Sequence, residues 1–423
     1  MNRRLKATAT FIYHKAGQGL FYSGTIRVSP PRGPRFDFVY DCGSENGKII
    51  EKTVSNYKSV FLHDNNNHID MLVISHLHKD HVSGLDKLLN DNTRVDYVFL
   101  PYLLPAERLI LALMYQNMPA WYYQFIADPV AYLLEHNVGT VVLFVGEGGE
   151  GEGGIPPENI PPEPPKGKNE KKLDIKLEEI PKPDRFVDEE DGRAYISYGD
   201  RLLIKTHHGY VIALGLWIFR FFNYKLPVAS LSRFKQCVKS ILNGISIKDA
   251  IIDETLRNKL SNCYKQIRGK RYVNNTSLLL YHTPLGRYHA KKFWYSDKCF
   301  CSFCPYYRWA CIEYLRHRNR FGQFLTGDID LNHDYNQIRN HYRNYLHHTF
   351  AVQVPHHGAR NDWNSRLIDD VPDLSIWIVS AGSSNRYGHP RPSVIYDILQ
   401  RGHALYWANE LQEVSIKGDI EWQ

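Results

Sequence analysis

The sequence has no hydrophobic run long enough to cross a membrane. Its longest, Tyr210 to Phe219, ends after ten residues at Arg220, whereas a spanning helix needs about 20. No apolar stretch follows the basic start Met1-Asn2-Arg3-Arg4, because Thr8, Thr10, Tyr13, His14 and Lys15 interrupt it, so no secretory signal is expected. Cysteine is scarce, seven in 423 residues, and four crowd between Cys299 and Cys311. That usage points to reduced thiols or a metal site in a cytoplasmic protein rather than to a disulfide framework. Serine-nucleophile and Walker signatures are missing, since Gly43 to Lys48 lacks the spacing and the final Ser/Thr. Gly146 to Gly151 formally fits G-x-G-x-x-G, but Glu147, Glu150 and Glu152 and the following Ile155-Pro156-Pro157 deny a pyrophosphate its helix N-terminus.

Apolar residues at 43% and aromatics at 13% are enough for a folded core. The length predicts two to three domains, or one large domain with an insertion. Strand-like and helix-like patterns alternate over residues 1–145, which predicts an α/β class. Residues 146–192 turn to Gly, Pro, Glu and Lys and read as a flexible acidic loop. Glu147 to Asp191 holds 14 acidic and 7 basic residues, so a net charge of +7 overall leaves about +14 for the rest. A polyanionic partner or substrate fits that balance. Residues 193–273, with Trp217, Phe219, Phe221, Phe222, Phe234 and the acid-free run Arg257 to Arg271, read as an inserted, mostly helical subdomain. Strand patterns return over 274–423, interrupted by a Cys-rich insertion at 293–320.

Ser75-His76-Leu77-His78-Lys79-Asp80-His81 has the form H-x-H-x-D-H behind an apolar strand, Asp70 to Ser75. At a strand end, side chains two apart share a face, so His76 and His78 can converge on one metal ion. Asp80 and His81, on the turn into the next helix, can address a second. Imidazole with carboxylate is the ligand mix of zinc, manganese or iron. Cys299, Cys301, Cys304 and Cys311 offer a further, structural zinc site, with buried free thiols as the plain alternative. Tyr306, Tyr307, Arg308, Trp309, Tyr314, Arg316, Arg318 and Arg320 interleave aromatic and basic residues, as single-strand nucleic-acid grooves and ordinary solvated helices both do.

H-x-H-x-D-H resembles the signature of the metallo-β-lactamase fold superfamily of metal-dependent hydrolases. Other stretches are similar to its ComEC-like metallo-β-lactamase domain subgroup: Ala16-Gly17-Gln18-Gly19, Tyr40-Asp41-Cys42-Gly43-Ser44, Asn275-Thr276-Ser277-Leu278, Leu325-Thr326-Gly327-Asp328, Val354-Pro355-His356-His357-Gly358 and Asn385-Arg386-Tyr387-Gly388-His389-Pro390. They stand in the family order and cover roughly Thr8 to His136 and Asn274 to Gln423.

The resemblance implies an αββα sandwich of two sheets flanked by helices. It implies two divalent metals, zinc first and manganese second, held by His76, His78, Asp80, His81, Asp328 and one or both of His356 and His357. Asp328 would bridge them, with Asp41 and Asn275 orienting the ligands. Asp80 and His389 stand as the candidate catalytic residues, His389 being placed to ligate, to protonate a leaving group or to contact a phosphate. Where the superfamily has a further histidine on its first metal, Lys298 to Arg308 holds none, and Asn275 or His282 is the expected substitute. The implied activity is that of a phosphodiesterase or nuclease using a metal-activated hydroxide, acting on a phosphodiester such as single-stranded nucleic acid. Two other readings remain: a component of a multi-protein system, for example phage defence, with protein partners bound through the insertion, and a small-ester or thioester hydrolase with an apolar pocket. None of the three involves a membrane.

Overall fold

A computed structural model of the chain describes residues 5–29, 33–90, 92–146, 162, 172–180, 195–224, 231–265, 277–296 and 320–423. Its strands are β1 (Lys6–Tyr13), β2 (Phe21–Val28), β3 (Arg35–Cys42), β4 (His68–Val73), β5 (Arg94–Pro101), β6 (Val138–Phe144), β7 (Leu173–Glu179), β8 (Leu202–Ala213), β9 (Trp217–Phe222), β10 (Leu279–Pro284), β11 (Tyr288–Ser296), β12 (Gly322–Leu325), β13 (Thr349–Gln353), β14 (Ile376–Ser380), β15 (Ala404–Ala408) and β16 (Val414–Trp422). The helices are α1 (Gly47–Tyr57), α2 (Lys79–Val82), α3 (Leu85–Leu89), α4 (Pro105–Met114), α5 (Ala120–Ala127), α6 (Pro129–Glu135), α7 (Ser232–Leu242), α8 (Ile247–Ile252), α9 (Glu254–Lys265), α10 (Leu331–Leu346), α11 (Arg366–Asp370) and α12 (Pro392–Leu399). The class is α/β, as the alternating patterns predict.

All the strands join one mixed sheet in the order β11-β16-β1-β2-β3-β4-β5-β6-β8-β9-β10-β12-β13-β14-β15, with β7 added on β8. Each half runs antiparallel and then parallel: β1 to β3 are antiparallel and β3 to β6 parallel, while β8, β9, β10 and β12 are antiparallel and β12 to β15 parallel. Successive strand side chains point to opposite faces, and the core divides accordingly. Phe38, Tyr40, Met71 and Val73 turn inward to a central core, while Val39 and Leu72 turn outward onto α1 and α3 to α9. In the second half Leu280, Ala351 and Ile376 face the same central core, and Tyr281, Val352 and Trp377 pack under α10 to α12. The sheet is thus folded over on itself, with a layer of helices outside each half. Phe11 against Trp217 at 5.7 Å and Phe38 against Phe219 at 5.0 Å fasten the halves. All four side chains are fully buried, and burying each ring contributes about 1.5–3 kcal/mol.

Residues 146–192 include β7, paired antiparallel with β8. Residues 193–273 give β8 and β9 to the middle of the sheet, and α7 to α9 to the layer over α4 and α5. The mostly helical reading of residues 193–273 is therefore corrected over Leu202–Ala213 and Trp217–Phe222: a continuous apolar run carries no period by which a buried strand differs from a buried helix. The expectation of reduced thiols is corrected for one pair, because Cys237 on α7 and Cys263 on α9 form a disulfide. Cys42 is free and buried. Asn275, the Cys299, Cys301, Cys304 and Cys311 cluster and the aromatic-basic stretch from Tyr306 to Arg318 lie outside the described residues. Among the described residues no helix is long and apolar enough to cross a membrane.

Candidate metal centre

The sequence motifs meet at the carboxyl ends of the parallel strands β3, β4, β12, β13 and β14, where the strands of open α/β sheets leave a crevice. After β4 the chain stays extended through His78 (φ −69°, ψ 151°), so His76 and His78 share a side, with rings 4.7 Å apart. The single turn of α2 then swings Asp80 and His81 in beside them. Two glycines allow this turn to press against its neighbours. A Cβ on Gly43 would lie 2.4 Å from backbone atoms of Asp80 and His81, and one on Gly19 2.6 Å from the Asp80 carbonyl oxygen. From the other half, β12 delivers Asp328, and β13 delivers His356 and His357, both with positive φ (45° and 55°). Such conformers cost about 1–3 kcal/mol each and persist where surrounding structure holds them.

Asp328 is the hub. Its Oδ1 lies 3.2 Å from His81 Nε2 and 3.8 Å from His357 Nε2, and its Oδ2 lies 3.6 Å from both His76 Nε2 and His356 Nε2. Asp80 Oδ2 is 3.2 Å from His357 Nε2. Donor atoms of Asp80, His81, Asp328 and His357 all fall within 4.8 Å of one another, and so do those of His76, His78 and Asp80. Asp80 thus joins two groups, each able to hold a metal ion.

What fixes the rings is their other nitrogen. His81 Nδ1–H donates to Asp41 Oδ2 at 2.7 Å, His356 Nδ1–H to Asp362 Oδ2 at 2.7 Å, and His357 Nδ1–H to the Ser380 carbonyl at 2.5 Å. Ser75 spends its hydroxyl proton on Asp41 Oδ2 at 2.6 Å, so its oxygen is free to accept from His76 Nδ1–H at 2.9 Å. These acceptors make Nδ1 the protonated nitrogen and turn Nε2 toward the carboxylates. His76 Nε2, His78 Nε2, His81 Nε2 and Asp328 Oδ1 are buried with no hydrogen-bond partner. His81 Nε2 and Asp328 Oδ1 face each other at 3.2 Å as an ion pair, whereas His76 Nε2 and His78 Nε2 lack a partner that close. Orphaned buried polar atoms cost about 1–3 kcal/mol each, which a divalent cation bound among them would relieve. The nitrogen and oxygen donors suit zinc, manganese or iron(II).

Burial holds the His76 imidazole well below its ordinary pKa and His78 down to about 4. Burial also opposes charge on His81 and His356, but carboxylates win there. Asp328 and Asp41 keep His81 well above the usual range, and Asp328 and Asp362 raise His356 to about 9. Burial disfavours the Asp80 and Asp328 anions, yet the His357, His81 and His356 imidazoles hold both carboxyls below the ordinary range. The centre is therefore built around anionic carboxylates whose charge the neighbouring imidazoles balance, a role that a divalent cation could take over with release of protons.

Asp41 sits under this cluster, oriented toward His81 and Ser75. His389 stands outside both groups, its ring 5.9 Å from His356 and stacked on Tyr387 at 5.8 Å. Burial and the neighbouring His357 and His356 lower it to about 4. His282 is corrected as a substitute ligand. It lies inside the central aromatic core, with Tyr22 Oη at 2.9 Å from its Nε2 and Trp217 Nε1–H donating to its Nδ1 at 3.1 Å. Both nitrogens are occupied. Sequence reasoning missed Asp362, Ser380 and Ser75 as orienting groups. Asp362 follows the His pair closely enough to have been a candidate, whereas Ser380 offers only a carbonyl oxygen, which any residue has. His68, Asp70 and Asp96 make a third cluster at the opposite end of the strands. There Asp70 is held by Lys172 Nζ and the Asp37 amide, each at 2.7 Å, and Asp96 by His68 at 3.0 Å.

The chain matches no protein-family model and no curated protein.

Proposed function

We propose that this chain is a metallo-β-lactamase-fold hydrolase, related to the ComEC-like subgroup, that cleaves phosphodiesters with two divalent metal ions. The observation that carries the reading is the convergence of five imidazoles on Asp80 and Asp328: His76, His78 and His81 have buried Nε2 atoms without a hydrogen bond, and His76, His81, His356 and His357 are each oriented by a hydrogen bond at Nδ1. A folded-over sheet with helices on both outer faces and motifs in the family order support the family assignment.

His76 and His78 would hold one ion, His81, His357 and Asp80 the other, and Asp328 would lie between them. When bound, the ions supply Lewis acidity, polarising a phosphoryl oxygen and lowering the pKa of a water. The chain's own residues do the rest. Asp41, Ser75 and the Ser380 carbonyl keep His81, His76 and His357 from rotating. Burial excludes bulk water, which strengthens every charge interaction at the reacting phosphorus. His389, neutral at physiological pH, stands where it can donate a hydrogen bond from a ring N–H to a phosphoryl oxygen. Hydrolysis of bis(p-nitrophenyl) phosphate by the wild type and its loss in Asp80→Ala test the reading. Full hydrolysis by Asp80→Ala would refute it.

A further inference from the structure

Charged residues that take no part in the metal centre line its mouth. Lys79 stands between His78 and Asp80, and its Nζ lies 3.5 Å from Glu45 Oε2, with side chains 26% and 27% exposed. From the other half of the sheet, the Tyr387 hydroxyl donates to Glu45 Oε1 at 3.2 Å. Arg386 Nη2 donates to that hydroxyl at 2.8 Å, and its guanidinium lies 5.0 Å from the ring centre. Lys79, Glu45, Tyr387 and Arg386 therefore form a polar strap between the turn after β3 and the loop after β14. Two tyrosines tie this strap region to the candidate centre: Tyr387, stacked on His389, and the part-buried Tyr115, 5.8 Å from the His78 ring.

A partly exposed ion pair of this kind contributes only about 0–1 kcal/mol, so the strap is easily exchanged for a better anion. Phosphate is such an anion, because Lys meets it as a point charge and Arg through parallel N–H donors. Aromatic rings beside cations are the elements that track a single strand, one set for bases and the other for backbone, and Tyr387 is 37% exposed.

We propose, resting on the phosphodiesterase reading, that Lys79 and Arg386 determine specificity for single-stranded nucleic acid by gripping a phosphate next to the scissile one. In the free protein Glu45 holds Lys79 directly and Arg386 through the Tyr387 hydroxyl, and it gives them up when the strand enters. A substrate with one isolated phosphodiester gains nothing from this pair, whereas a polynucleotide does.

The test is fluorescence anisotropy of metal-loaded protein with a fluorescein-labelled single-stranded DNA bearing phosphorothioate linkages, across a salt series. Each single-strand phosphate contact adds about 0.7 to the slope of log K against log salt. Lys79→Gln and Arg386→Gln should each weaken binding and flatten the slope by about 0.7, and Glu45→Gln should tighten binding about two- to fivefold. Slopes unchanged in both cation variants would overturn the proposal. Metal content measured on the same samples keeps a lost ligand from imitating a lost phosphate contact. Hydrolysis of bis(p-nitrophenyl) phosphate separates the two ideas. A wild type that binds DNA with the expected slopes but never cleaves the diester contradicts the phosphodiesterase reading and sustains the grip. One that cleaves it while the slopes stay put does the reverse.

Discussion

Asp41→Asn isolates the support beneath the candidate metal centre without disturbing the backbone. Asp41 has φ 57°, a left-handed conformation that Asn tolerates as well as Asp. Its two oxygens accept three hydrogen bonds: Ser75 N–H at 2.6 Å on Oδ1, and Ser75 O–H at 2.6 Å with His81 Nδ1–H at 2.7 Å on Oδ2. An asparagine amide replaces one of those oxygens with a donor. If NH2 faces Ser75 N–H, two buried donors oppose one another, at about 1–3 kcal/mol. If it faces His81, the ring must shift its proton to Nε2, the atom that would bind metal. Either way metal affinity should fall tenfold to hundredfold, the range for an orienting partner of a ligand histidine, or about 1.4–2.7 kcal/mol. Titration against a competing chelator, with circular dichroism to verify folding, measures it. A folded Asp41→Asn protein with wild-type metal affinity would refute the reasoning that Asp41 fixes His81.

Other outcomes follow from the same geometry. Gly43→Ala places a Cβ 2.4 Å from backbone atoms of Asp80 and His81, so the turn must move. We expect a loss of at least about 1–3 kcal/mol in chemical denaturation together with lower metal content. His282→Ala should lose about 2–4 kcal/mol through its cavity and the partners it strands, yet retain full metal content; metal lost from a folded His282→Ala protein would return it to the ligand set. In metal-free protein the raised His356, at about 9, contributes stability that is full below about pH 6.5 and fades as pH rises through 9. Metal uptake has the opposite sign, because it displaces protons from the centre. The gap in Tm between metal-loaded and metal-free protein should therefore widen from pH 6.5 to 9, and a constant gap would contradict the electrostatics.

How much of this was legible in the sequence depended on how local each feature is. His76, His78, Asp80 and His81 sit on one strand end and one helical turn, so two short-range periodicities suffice to place them together. Asp328 and the His356/His357 pair gained meaning only from their order behind that motif, since their approach to it is made by strands far apart in the chain. The orienting bonds from Asp362 and the Ser380 carbonyl needed the left-handed turn at His356 and His357, which no residue type there announces. His282 was misjudged because a histidine on a strand shows nothing of which face it occupies; its face is the aromatic core. β8 and β9 hid in a run that is apolar throughout. Cys237 and Cys263, 26 residues apart, meet only because α7 and α9 pack side by side.

The most direct test is the metal content of purified wild type and Asp328→Asn by elemental analysis. Asp328 faces imidazoles of both groups, so the wild type should exceed the variant by about two divalent ions per chain; any zinc on the cysteines cancels in that difference. Equal metal content in the two proteins, both folded, would contradict a dinuclear centre built on Asp328.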